Sequence, residues 1–158
     1  MKTRDCVTEY FDKVALAQAA SSNALKRSRL VYMHPDDFLG LARTGHGDHK
    51  EDRVQDMIKS GDVFPDIPYL WIDTVRKDNK HFKVKYEKDI CQVIAHEGRH
   101  RTRALKKAGF TEIPVIIYST NSLNIQWFAN KERPKKVRTE DGYLDYDFAD
   151  VFKEVNEV

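Results

Sequence analysis

The chain has 158 residues, 41% of them apolar, which suits one domain with its own core and falls short of two. Charged side chains make up 33%, yet the signs nearly cancel to +2, which argues against a polybasic nucleic-acid coat and leaves room for a local basic site. No apolar run approaches the roughly 20 residues that span a bilayer, the N-terminus lacks a signal-peptide pattern, and Cys6 and Cys91 form no CxxC pair, so a soluble cytoplasmic protein with reduced thiols is expected.

In chain order, Val7, Tyr10, Phe11, Val14 and Ala15 recur near helical spacing and predict a helix over 4–20, ending at Ser21-Ser22-Asn23. Leu30 to Met33 is a short β-prone run. Pro35-Asp36-Asp37 starts a helix that continues through Phe38, Leu39 and Leu41, since proline suits a first turn and carboxylates its positive end. Residues 44–50 read as a loop, and a helix over about 51–60 presents Val54, Met57 and Ile58 on one side before stopping at Gly61. After the turn-like Pro65-Asp66-Ile67-Pro68, the aromatic and branched Tyr69 to Ile72 predict a strand. Lys77 to Lys80 reads as a polar turn and 81–86 as a hairpin arm. Ile90 to Ala95 is a buried strand, Arg99 to Ala108 a helix closed by Gly109, and Ile113 to Tyr118 another buried strand with Pro114 near its start. An apolar patch around Ile125, Trp127 and Phe128 precedes a basic segment, 131–138, and an acidic tail; the two charge blocks read as solvated faces.

The chemistry concentrates in His96-Glu97-Gly98-Arg99-His100-Arg101-Thr102-Arg103, where six of eight side chains are ionisable and lie between a buried strand and a helix. At about 100° per residue from Arg99, Arg101 shares the inward face of Ala104, Leu105 and Ala108, with His100 on its edge. An arginine on the inward side of a first turn is costly unless an anion or an internal carboxylate such as Glu97 meets it. Unpaired N–H groups and the positive end of the helix dipole converge there, and Gly98 permits close approach to the backbone. A phosphate site is expected. Arg103, Lys106 and Lys107 fall on the outward side of the same wheel.

His96-Glu97-Gly98-Arg99-His100 also satisfies H-E-x-x-H, the zinc-peptidase spacing. That alternative needs one helix through 93–104, with Gly98 mid-helix, and a third ligand from Glu112, Glu132 or Glu140. The β-branched Val93 and Ile94 favour a strand instead. His46, Asp48 and His49 are a further metal-capable set in a glycine-rich loop.

Gly98-Arg99-His100-Arg101-Thr102-Arg103-Ala104, followed by Gly109 and Ile113-Pro114-Val115-Ile116-Ile117, resembles the signature of the ParB/sulfiredoxin superfamily. Gly98, Arg101, Arg103 and Ala104 match the ParB-like G-x-R-R-x-R-A box, and Gly98, His100 and Arg101 match the sulfiredoxin G-C-H-R box. The resemblance covers about residues 28–118. It implies a small α/β (α+β) fold with a mixed sheet flanked by helices; the chain then divides into an N-terminal helix over 1–27, this domain over 28–120 and a C-terminal extension over 121–158 that packs on the domain or trails from it. It also implies a bound nucleoside triphosphate, CTP as in ParB or ATP as in sulfiredoxin and free-serine kinases, with Mg²⁺. Some relatives are nucleases, and the His-Glu-Gly-Arg-His form is similar to ParB-like domains of phages and mobile elements.

Arg99 stands where sulfiredoxin carries its reactive cysteine, which argues against sulfinic-acid reduction, and 119–158 reads as too short and too acidic for the ParB helix-turn-helix module. The expected function is therefore a nucleotide- and phosphate-binding domain acting on or beside DNA, with Trp127 and 131–138 as nucleic-acid contacts. A stand-alone ATP-dependent phosphotransferase or nucleotide hydrolase is the alternative. Gly98, Arg99, His100, Arg101 and Arg103 are the expected phosphate ligands. Glu97 and His100 are the expected catalytic groups, with a carboxylate of the Asp36-Asp37 helix as a second candidate base or Mg²⁺ ligand.

Overall fold

A computed structural model of the chain describes residues 2–20, 28–43, 51–60, 64, 66–78, 84–119 and 133–154. Helices α1 (Lys13–Ala20), α2 (Pro35–Leu41), α3 (Glu51–Ser60) and α4 (Arg99–Lys107) accompany a mixed sheet. Its strands are β1 (Ser28–Met33), β2 (Tyr69–Asp78), β3 (Val84–Glu97), β4 (Ile113–Tyr118), β5 (Lys136–Arg138), β6 (Asp145–Asp147) and β7 (Lys153–Glu154), in the order β6-β5-β3-β2-β4-β1-β7. This is an α+β fold of the expected mixed class. The loop 44–50 with His46, Asp48 and His49, together with Gly61, Pro65, Lys80, Ile125, Trp127 and Phe128, lies outside the described residues.

Alternation along the central strands gives one buried layer. Val31, Leu70, Ile72, Val93, Val115 and Ile117 are inaccessible and join Phe38, Leu41, Val54 and Leu105 of the helices in a single core. Val54 is fully buried while Met57 and Ile58 pack partly buried against the core, as the 51–60 spacing predicts. Helix α2 begins where Pro35 suggests, with His34 Nδ1 accepting the Asp36 N–H at 3.0 Å.

The expected continuous helix over 4–20 is two pieces, a 3-10 helix (Arg4–Glu9) and α1. The break has a distant cause. Phe11 is buried edge-on against Phe64, and the Tyr10 carbonyl accepts the Phe64 N–H at 2.6 Å, so the chain leaves the helix to pair there. Asp12 restarts it by accepting the Val14 N–H at 3.0 Å.

The central hairpin is longer than expected. Strand β2 runs on to Asp78, through positions read as a turn, and β3 joins the 84–86 arm to Ile90–Ala95 in one strand. The antiparallel register runs from Asp78↔Val84 to Tyr69↔Glu97, and a β-bulge makes Ile94 the extra residue between Trp71↔Ala95 and Ile72↔Val93.

The C-terminal residues supply both sheet edges. Strands β5 and β6 form a hairpin in which Lys136 lies opposite Asp147 and Arg138 opposite Asp145, so the basic and acidic blocks pair across strands on an open face. The chain then crosses through the short helix Phe148–Val151 to β7 on β1. Six residue steps reach at most about 20 Å, whereas seven flat strands would be about 29 Å wide, so the sheet curls to bring its edges together. Buried Phe148 and Phe152, with ring centroids 4.8 Å apart, seat that crossing. Among the described residues no helix is long and apolar enough to cross a membrane.

Candidate functional site

The strand–turn–helix–strand unit over 91–117 forms as the sequence predicts. Strand β3 ends at Glu97, Gly98 turns with φ +109°, and α4 begins at Arg99. A Cβ on Gly98 would lie 2.7 Å from Pro68 Cβ and 3.1 Å from Arg101 Nη2, so the turn requires glycine for both conformation and space. Gly98 supplies no capping side chain to the N–H groups of the first turn. Its carbonyl accepts both the N–H and the hydroxyl of buried Thr102 at 2.9 Å, which anchors that turn.

A pocket of about 140 Å³ opens at this turn, lined by Met57, Glu97, Gly98, His100 and Arg101. Arg101 is 13% exposed and ion-paired with the half-exposed Glu97, the internal carboxylate anticipated as its alternative partner. That pair leaves Arg101 Nε buried with no hydrogen-bond partner among the described residues. An unsatisfied buried N–H costs about 1–3 kcal/mol, more for a charged group. His100 lines the pocket from the edge of the helix, as the wheel predicts.

The other candidates are arranged differently. Arg99 directs Nη1 to the carbonyls of Leu39 (2.8 Å) and Ala42 (2.7 Å), so it caps the C-terminal end of α2 instead of facing the pocket lining. Arg103 is half-buried, not outward in solvent, while Lys106 and Lys107 are exposed as expected. Asp36 binds Lys106 Nζ at 2.6 Å. That places it beside the far end of α4, roughly 10 Å along the helix from Arg99, and removes it from the pocket.

The zinc geometry does not form. His96 lies on a strand and Gly98 interrupts any helix, so His96 and His100 are not on one helical face. Among the described residues no group of three or more metal-capable side chains gathers. His96 Nδ1 instead contacts Glu140, with Phe38 edge-on to the ring, and this pair ties the β5–β6 turn to the core. Glu112 is bound to Arg4 at 2.6 Å.

Sequence reasoning missed Met57 as a wall of the pocket, because its place depends on how α3 packs on α4. Glu140, named in the sequence as a candidate zinc ligand with His96, meets that ring directly as a hydrogen-bonding partner across 44 positions. Comparisons of the chain with protein-family models, curated proteins and solved structures returned no match.

Proposed function

We propose that this chain is a ParB-like nucleotide- and phosphate-binding domain acting on or beside nucleic acid, of the kind carried by phages and mobile elements. The observation that carries this reading is Arg101, largely buried in the wall of a pocket at an uncapped helix start, with its Nε unsatisfied. A phosphate oxygen is the acceptor such a guanidinium and such N–H groups match best. The pocket volume of about 140 Å³ suits one phosphoryl group and is far below the roughly 300–1,000 Å³ of a site enclosing a whole ligand, so the rest of the nucleotide extends beyond it.

In this account Gly98, His100 and Arg101 bind the phosphate, with Arg103 adding positive charge behind them. Glu97, more exposed than Arg101, yields the guanidinium to the incoming anion and is the carboxylate in the lining that can meet Mg²⁺. A phosphotransferase or hydrolase would need its general base within hydrogen-bond reach, and Glu97 and His100, which line the pocket, are the candidates for that role.

A thermal-shift screen with ATP, CTP and GTP, with and without Mg²⁺, tests the assignment. A nucleotide at about 100 times its Kd stabilises by ~2.7 kcal/mol, which for a chain of this size raises Tm by roughly 5–10 °C. Arg101→Ala should abolish the shift and Lys107→Ala should keep it; equal shifts in both variants would sink the reading.

A further inference from the structure

Strand β2 carries aromatic residues on the face opposite the buried Leu70 and Ile72. Its parallel pairing with β4 sets Tyr69 beside Ile116 and Trp71 beside Tyr118. These four side chains line a cleft of about 390 Å³, within the usual size of ligand sites. The Trp71 and Tyr118 rings stand 6.0 Å apart at 80°, and Tyr69 and Tyr118 are each 38% exposed. The indole is held in place: Trp71 Nε1 donates to Asp73 at 3.0 Å, and buried Ser119 donates to the other Asp73 oxygen at 2.7 Å. An indole held by a hydrogen bond meets a ligand at a lower ordering cost than a free side chain.

The cleft and the pocket share no lining residue, and the link between them runs through neighbouring residues at the end of β2. Tyr69 lies opposite Glu97 in the β2–β3 register, and Pro68, the residue before Tyr69, abuts Gly98. A ligand serving both places needs a flat apolar ring system at one end and a phosphate at the other.

We infer that the Tyr69–Trp71–Tyr118 cleft is the nucleobase subsite of the nucleotide whose phosphate lies at Gly98–Arg101; this rests on the phosphate reading above. The lining offers ring faces and an aliphatic floor, and the Trp71 N–H is already committed to Asp73. Recognition is therefore by stacking, which every base permits. ATP and GTP bind within a few-fold of each other, and pyrimidine nucleotides bind more weakly.

Titration calorimetry of the full chain with ATP and with inorganic tripolyphosphate tests this, using wild type, Trp71→Leu, Trp71→Phe and Arg101→Ala, each first shown by its melting curve to be folded. Base–aromatic stacking predicts that Trp71→Leu weakens ATP about 5- to 100-fold and leaves tripolyphosphate within two-fold, while Trp71→Phe recovers most of the loss. Arg101→Ala weakens both ligands. If Trp71→Leu unfolds the chain, Tyr118→Leu takes its place with the same expectation. Unchanged ATP affinity, or equal weakening of both ligands, overturns the base subsite and leaves the phosphate pocket standing. Wild type that binds neither ligand removes both.

Discussion

Gly98 and Arg101 make one device. With φ +109° and Pro68 2.7 Å from the place of its missing Cβ, Gly98 lets the chain turn tightly enough to bring the Arg101 guanidinium back against Glu97. Gly98→Ala should lose about 2–4 kcal/mol in urea unfolding, from left-handed strain and the clash together. Gly109, φ +95° with open space around it, should lose only about 1 kcal/mol as Gly109→Ala. Equal losses would mean the Pro68 contact is unimportant. Two residues away from the site report on pH. Burial pushes the Cys91 thiol well above its ordinary range, so its neutral form stabilises the fold below the unfolded pKa of about 8.5, and that contribution is lost as pH rises further. Native Cys91 should resist a thiol reagent at pH 8 until the chain unfolds, and prompt labelling would contradict its burial. The Asp141 carboxyl is lowered, first by the Thr139 hydroxyl and then by the Tyr143 N–H and Arg43. Its contribution is present above the unfolded pKa of about 3.9 and fades as pH falls through the lower folded value. Asp141→Asn should therefore cut stability near neutral pH and flatten the acid limb of the pH profile.

At the scale of elements, what the sequence makes legible follows the reach of each signal. Gly98, the run Ile90–Ala95, Gly109 and Pro114 are local punctuation around strong periodicity, and the strand, turn, helix and strand they imply all form. Arg101 facing inward follows from the same wheel. The break at Tyr10–Asp12 is invisible locally because its cause is Phe64. Polar Lys77 and Asp78 read as a turn because cross-strand hydrogen bonding, not apolar alternation, carries the outer part of the hairpin. Arg99 reads as a phosphate ligand in the sequence, which does not show that its guanidinium bonds the C-terminal end of α2. The aromatic cleft was half visible: Tyr69 and Trp71 alternate on one face, but their neighbours Ile116 and Tyr118 depend on a parallel pairing across 47 positions.

For the whole molecule, one curled sheet carries both the pocket after β3 and the aromatic cleft on β2 and β4. The residues after β4 close both edges, so the basic 136–138 strand is paired with aspartates and is a weaker candidate for phosphate backbone contacts than its sequence suggests. Phe148→Ala, at the crossing between the edges, should cost about 3–5 kcal/mol and lower Tm accordingly, whereas a loss below 1 kcal/mol would mean the crossing does not hold the sheet. Everything proposed for the pocket depends on the turn after β3 holding phosphate. The most direct measurement of this is an amide chemical-shift titration of the folded chain with MgATP. The largest shifts should fall on the N–H groups of Gly98, Arg99, His100 and Arg101 and vanish in Arg101→Ala. Saturating shifts confined to other elements, or none at millimolar nucleotide, would contradict it.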